Sequence, residues 1–154
     1  MKAVIQRVSN ASVTVDGKIV GSCCEGYMIL FGAVEGDTLS DVDILAQKVV
    51  NLRIFCDEND KMNKSILDID GEILAISQFT LAADVKKGNR PSFIKALEPQ
   101  KAEEYYNIFC DKLVELGVKK VEKGIFGADM KVSLTNDGPV TILYDTEIWR
   151  KNGN

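Results

Sequence analysis

The chain contains no histidine in its 154 residues. That absence excludes Ser-His-Asp and Cys-His catalysis and removes the side chain most often used as a general base. It also excludes mixed Cys/His zinc sites. The four cysteines, Cys23, Cys24, Cys56 and Cys110, follow no metal-ligand spacing, so no metal is expected. Neither a Gly-x-x-x-x-Gly-Lys-Ser/Thr phosphate loop nor a Gly-x-Gly-x-x-Gly fingerprint occurs, and no cofactor is expected. Apolar runs stay well short of the roughly 20 residues that span a bilayer, so no membrane partner is expected. Positive charge is in the minority, 19 Lys and Arg against 23 Asp and Glu, for a net charge of −4. A protein that coats nucleic acid without specificity relies on a broad basic surface, and this composition does not supply one. The start, Met1-Lys2-Ala3-Val4-Ile5-Gln6-Arg7, has polar residues where a signal peptide would keep an apolar core, which predicts a cytoplasmic protein.

Hydrophobic residues make up 45% of the chain and charged residues 27%, the balance of an ordinary globular protein. A chain of this length predicts one domain over residues 1–154, burying about 68–70% of its unfolded surface. The cysteines read as reduced thiols acting as small core residues. With three prolines and no repeat, linker or low-complexity segment, nothing divides the chain.

Val4, Ile5 and Val8 predict a first strand. Ser12-Val13-Thr14-Val15 alternates with period two and runs through Asp16-Gly17 into Lys18-Ile19-Val20, the signature of a tight hairpin. Tyr27 to Val34 is continuously apolar, as expected of a strand buried on both faces. A helix is predicted from Ser40 as N-cap, with Val42, Leu45, Val49 and Leu52 on one stripe. Arg53-Ile54-Phe55 and Glu72-Ile73-Leu74-Ala75-Ile76 read as strands. Pro99 opens a second helix with Ala102, Tyr105, Tyr106, Phe109, Leu113 and Leu116 inward and Gly117 as its stop. Two strands close the chain, Met130 to Leu134 and Val140 to Tyr144, with Gly138-Pro139 as the turn between them. Residues 146–154 read as a flexible tail. This order predicts an α+β fold with two main helices and a mostly antiparallel or mixed β-sheet.

Three segments carry chemistry. Ser77-Gln78-Phe79-Thr80-Leu81 leaves a strand with two hydroxyls, which either satisfy nearby backbone or serve a site; neither has an evident activating base. Gly138-Pro139 offers backbone and a fixed ring, as a plain turn would. Lys86-Lys87-Gly88-Asn89-Arg90 is the one compact basic loop, solvated or a grip on phosphate. The carboxylates form no evident acid/base couple.

Taken in order, Ala3 to Val8, Ala11 to Gly17, Asn51 to Phe55, Lys61-Met62-Asn63, Ser77 to Leu81, Arg90-Pro91-Ser92-Phe93, Gly127 to Met130 and Asn136 to Thr141 resemble the D-aminoacyl-tRNA deacylase family along almost the whole chain. The resemblance implies a barrel-like sheet and a homodimer. It implies hydrolysis of the ester joining a D-amino acid to the 3′ end of tRNA, with glycyl-tRNA also accepted. It implies that Gly138-Pro139 is cis and enters the other subunit's site, where its carbonyls crowd out L side chains. Backbone N–H groups of Ser77, Gln78, Phe79 and Thr80 would hold the carbonyl, with the RNA's own 2′-OH assisting. Arg7, Ala102, Phe126 and Met130 match substrate-binding positions. Lys86, Lys87 and Arg90 would meet tRNA phosphates. Two other readings stand beside it: a trans Gly-Pro relative that edits L-alanyl-tRNA, and a non-catalytic nucleic-acid-binding module.

Overall fold

The computed structural model describes residues 1–150, which form one mixed β-sheet, nearly closed into a barrel, with two helices packed outside it. The sheet is arranged around β1 (Lys2–Val15). The first half of β1 pairs antiparallel with β3 (Gly26–Gly32) and its second half with β2 (Lys18–Cys23). The last strand, β8 (Lys131–Asp145), runs antiparallel along both halves. On the far side, β3 pairs in parallel with β6 (Glu72–Ser77), and β6 in parallel with β7 (Val121–Lys123). The strand order is β2-β1-β3-β6-β7, with β8 on β1. Two carboxylates draw the ends of this order together: Glu122 accepts the Ser22 N–H at 2.8 Å and Glu72 accepts the Cys24 N–H at 2.7 Å. A separate ribbon joins β4 (Arg53–Cys56) to β5 (Met62–Ser65).

The apolar run from Tyr27 is continuous because β3 is covered on both faces. Tyr27, Ile29 and Phe31 face the helices in one cluster with Ile5, Ile73 and Ala75. Met28 turns the other way, into the barrel interior with Val8, Val13, Leu74 and Ile76. The helices α1 (Leu39–Asn51) and α2 (Pro99–Glu115) bury Val42, Leu45 and Val49 on one and Tyr105, Tyr106, Phe109 and Leu113 on the other. Phe31 stacks on Phe109 at 5.0 Å between ring centroids, and the Tyr106 hydroxyl donates to the Ala75 carbonyl at 2.6 Å. Burial drives the Tyr106 phenol above its ordinary range, so it remains a donor. Among the described residues no helix is long and apolar enough to cross a membrane.

Several sequence expectations are corrected. The first strand and the hairpin arm are one continuous β1, bent at register shifts against β8. Helix α1 starts at Leu39 with Thr38 as N-cap, not Ser40, because the Asp41 carboxylate reaches back to the Thr38 N–H at 2.8 Å. Leu116 is exposed, since it falls past the last turn of α2. Cys23 and Cys110 are buried, with burial pushing their thiols up to about 11 and about 12, whereas Cys24 and Cys56 are exposed. The two terminal strands are a single β8, so Gly138-Pro139 is not a hairpin turn.

The expected tail is ordered through its first part. Thr146–Trp149 is a 3-10 turn with Thr146 fully buried, and Trp149 meets Tyr144 edge-on at 4.9 Å; residues 151–154 of that tail lie outside the described residues. The turn is held by buried acids beside α1. Asp41 accepts from the Thr146 hydroxyl at 2.7 Å and Arg150 Nε at 3.0 Å, and Asp37 from Arg150 Nη2 at 2.7 Å.

Burial raises the Asp41 pKa, but the Thr38 N–H, the Thr146 hydroxyl and Arg150 outweigh it and hold the carboxyl below its ordinary value. A carboxyl depressed in the folded state stabilises fully above the unfolded value of about 3.9, and that contribution is lost as pH falls through the lower folded value. Asp41→Asn should therefore cost about 1–3 kcal/mol at pH 7. The gap in melting temperature from the parent should narrow below about pH 4. A gap that is the same at pH 7 and pH 3 would contradict this account.

Candidate functional site

A cavity of about 250 Å³ opens where the parallel neighbours β3 and β6 end. Its walls are Phe31, Gly32 and Ala33 from β3 and beyond, and Ile76, Ser77, Gln78 and Phe79 from β6 and the turn after it. Ala102 contributes from α2, and Phe126, Gly127, Ala128, Met130 and Val132 from the approach to β8. Helix α2 sets the back wall, because Tyr106 packs against both Phe31 and Phe126, at 5.9 and 6.3 Å between centroids.

None of these lining side chains is an acid or a base at neutral pH. The polar groups available are the Ser77 hydroxyl, the Gln78 amide and backbone. As β6 ends, the Gln78 N–H donates to the Phe31 carbonyl at 2.6 Å, and the chain coils into the 3-10 turn Phe79–Ala82. The first hydrogen bond of that turn runs from Leu81 N–H to the Gln78 carbonyl at 3.2 Å. The N–H groups of Phe79 and Thr80 precede any acceptor within the turn, so the turn itself does not pair them. Gln78 Nε2 donates to the Thr80 hydroxyl oxygen at 2.5 Å, which fixes both side chains at the rim. This arrangement can bind a neutral or polarised carbonyl through backbone donors and hold apolar or aromatic groups against its walls.

Ser77, Gln78, Phe79, Ala102, Phe126 and Met130, far apart in sequence, therefore meet in one cavity. Thr80 sits beside it through Gln78. Among the backbone donors expected at residues 77–80, that of Gln78 is already occupied. Lys86, Lys87 and Arg90 lie on an exposed loop closed by reciprocal backbone bonds between Asp84 and Ser92 at 2.8 and 2.9 Å. Phe31, Gly32, Ala33 and Val132 carry no role in the sequence expectations; Gly32, a glycine inside the apolar run Tyr27 to Val34, was the available signal.

Arg7, Gly138 and Pro139 do not line this cavity. Gly32 pairs with Lys2 on β1 whereas Arg7 pairs with Tyr27, five residues along β3, or about 17 Å at strand rise. On the other edge of β1, Gln6 pairs with Thr141 and Val8 with Asn136, so Asp137, Gly138, Pro139 and Val140 stand opposite Arg7 alone and bulge outward. Arg7 secures the bulge, donating from Nε to the Asp137 carbonyl at 2.9 Å and from Nη1 to the Ile54 carbonyl at 2.7 Å. Gly138 has φ +129, and a Cβ there would lie 3.1 Å from Arg7 Nη2 and 2.9 Å from Val140 Cγ2. The Gly138–Pro139 peptide is cis, and both residues are exposed.

Residues 4–145 match the family model described as D-Tyr-tRNA(Tyr) deacylase. A D-aminoacyl-tRNA deacylase of Flavobacterium psychrophilum is 57% identical over 148 residues, covering 96% of this chain and 98% of the relative. One from Clostridium acetobutylicum is 52% identical over 147 residues, covering 96% and 98%. A solved structure described as c-Myc DNA Unwinding Element Binding Protein superposes with a TM-score of 0.89 at 43% identity, over 94% of this chain and 98% of that one. A second, from a structural analysis of a probable eukaryotic D-amino acid tRNA deacylase, shares the fold at 18% identity, with a TM-score of 0.78 over 93% and 97%.

The cavity's shape depends on an unoccupied space at Gly32. A Cβ there would stand 2.8 Å from the Gln78 carbonyl oxygen and 3.0 Å from Leu81 Cβ. Gly32→Ala should displace the turn after β6 and cost about 1–3 kcal/mol of stability. A melting temperature equal to the parent's, with the Gln78 carbonyl unmoved in the variant's crystal structure, would contradict that.

Proposed function

The chain belongs to the D-Tyr-tRNA(Tyr) deacylase family, and on that premise we propose that its cavity hydrolyses the ester joining a D-amino acid to the 3′ end of tRNA. The observation that carries the reading is a cavity lined by no acid or base, set where β6 ends and the Phe79–Ala82 turn begins; on this reading the N–H groups of Phe79 and Thr80 face the substrate carbonyl. An aminoacyl ester is already activated, so its hydrolysis needs charge stabilisation more than a strong general base. Water attacks the ester carbonyl carbon, and the carbonyl oxygen gathers negative charge toward the two N–H groups. The bond to the ribose 3′ oxygen then breaks, that oxygen takes a proton, and free amino acid and tRNA leave. Donors fixed in this way are worth about 3–4 kcal/mol of transition-state stabilisation. The terminal adenosine's 2′-OH assists the attack, since the lining offers no acid or base to do so. Ser77 and Gln78 orient the substrate, Ala102 packs on adenine, and Phe126 and Met130 frame the amino-acid end.

Chiral selection falls to Gly138 and Pro139 of a second copy, whose backbone carbonyls occupy the space an L side chain would need. Glycine has no side chain to exclude, so glycyl-tRNA passes this filter. Three features favour the arrangement. The pair is exposed, it lies well away from its own chain's cavity, and Arg7 holds it in a fixed bulge. The strand carrying it, β8, pairs only with β1 among the described residues, and Leu143 on it is 75% exposed. A long open strand edge invites pairing, which suits a homodimer. The same family reading makes the protein cytoplasmic and its partner aminoacylated tRNA. Similarity to the c-Myc DNA unwinding element binding protein favours a nucleic-acid-binding role as a second reading, against which the net charge of −4 counts.

Hydrolysis of matched D- and L-tyrosyl-tRNA, with and without chelator, tests the proposal. The D ester should be cleaved and the L ester spared; equal rates would sink the chirality claim, and no turnover of either would favour the binding role. Thr80 positions rather than attacks, so Thr80→Ala should keep kcat/KM within about tenfold of the parent. Complete loss with the fold intact would make Thr80 the nucleophile.

A further inference from the structure

Resting on the reading of the cavity as the seat of a tRNA 3′ terminus, we propose that Phe79 and Phe93 form a stacking platform at its mouth. The platform takes the base of the nucleotide that precedes the terminal adenosine, and the loop carrying Lys86, Lys87 and Arg90 takes the phosphates beside it. Phe79 is a wall of the cavity and yet 57% exposed, while Phe93 lies outside the lining, is 37% exposed and meets Phe79 edge-to-face at 5.3 Å and 75°. The two rings thus carry the cavity wall onto the exposed surface.

Phe93 is held at this rim by backbone bonds. Its carbonyl accepts the Ala96 N–H at 3.0 Å, and the next residues bond across to the end of β3: Leu97 N–H to the Ala33 carbonyl at 3.1 Å, and Glu35 N–H to the Lys95 carbonyl at 2.8 Å. Ala33 is itself a lining residue. The platform and the cavity are therefore parts of one rigid rim, and an exposed aromatic pair fixed in this way serves a ligand better than a core.

Charge identifies the ligand. In sequence, four cations, Lys86, Lys87, Arg90 and Lys95, and one carboxylate, Asp84, stand between Phe79 and Leu97 in a chain whose net charge is −4; Lys86 and Lys95 share a hollow with Glu35, Asp145 and Glu147, and Lys87 and Arg90 lie outside it. Asp84 is taken up by the Lys86 N–H at 3.0 Å and Lys95 Nζ at 3.3 Å. Lys86, Lys87 and Arg90 have no ion pair among the described residues. Exposed rings flanked by free cations match the recognition of single-stranded nucleic acid, in which bases stack on aromatics while cations follow the backbone. A second copy of the same acidic chain is the poorer electrostatic match for this patch.

The test compares two D-tyrosyl esters, one on the trinucleotide CCA and one on adenosine alone. Phe93→Ala should lower kcat/KM for the CCA ester on the order of tenfold and leave the adenosine ester within about twofold. Phe93→Trp should restore the CCA rate. No loss on the CCA ester, or equal loss on both, would overturn the platform; equal loss with a changed sedimentation coefficient would assign the rings to an interface between copies. Parent protein inert on both esters would overturn the deacylase reading, and the platform with it.

Discussion

The hydrogen bond from the Gln78 N–H to the Phe31 carbonyl, 2.6 Å long, is the point on which the site depends. It closes the pairing of β3 with β6 and fixes the point at which the chain leaves the strand. Beyond it the backbone coils into the Phe79–Ala82 turn, whose first N–H groups have no acceptor within the turn itself. Everything behind this bond holds Phe31 still. Phe109 stacks on it, Tyr106 packs beside it while donating to Ala75, and Gly32 leaves the space that the Gln78 carbonyl occupies. The aromatic core is thus also the support of the site.

The molecule keeps its charge away from this cavity. The buried acids Asp37 and Asp41 are spent on the Met1 amino group, Thr38, Thr146 and Arg150, where they fasten the Thr146–Trp149 turn beside α1. Lys86, Lys87 and Arg90 stand exposed on the loop closed by Asp84 and Ser92, outside the cavity lining. Between these regions lies a neutral cavity whose polarity comes from backbone dipoles, the setting in which fixed donors act most strongly. On the proposed function, the reacting groups that the protein omits arrive with the RNA.

The elements were mostly legible in the sequence, because period-two and helical spacing reflect which face each residue buries. Asp16-Gly17, Pro99 and Gly117 marked their turns and ends by backbone chemistry alone. The failures have physical causes. Thr38 displaced Ser40 as the cap because Asp41 is placed to reach back to it. Gly138-Pro139 resembled a turn because those residues break a regular ladder, which they do, but as a bulge against Arg7 within one long strand. Thr146 looked like the start of a tail because its partners, Asp41 and the Met1 amino group, are distant in sequence. The cavity residues Ser77, Gln78, Phe79, Ala102, Phe126 and Met130 were named from resemblance. Nothing in their local composition brings them together; the parallel pairing of β3 with β6 and the packing of α2 do.

The central claim is that catalysis rests on backbone donors and the substrate's own hydroxyl. The most direct measurement is single-turnover hydrolysis of D-tyrosyl-tRNA ending in 2′-deoxyadenosine, compared with the normal 3′ end at saturating protein. The account requires the 2′-deoxy ester to bind with similar affinity and to be hydrolysed at least about a hundredfold more slowly, the scale of one positioned proton-transfer group. Equal rates on the two esters would contradict it and return the chemistry to a protein side chain.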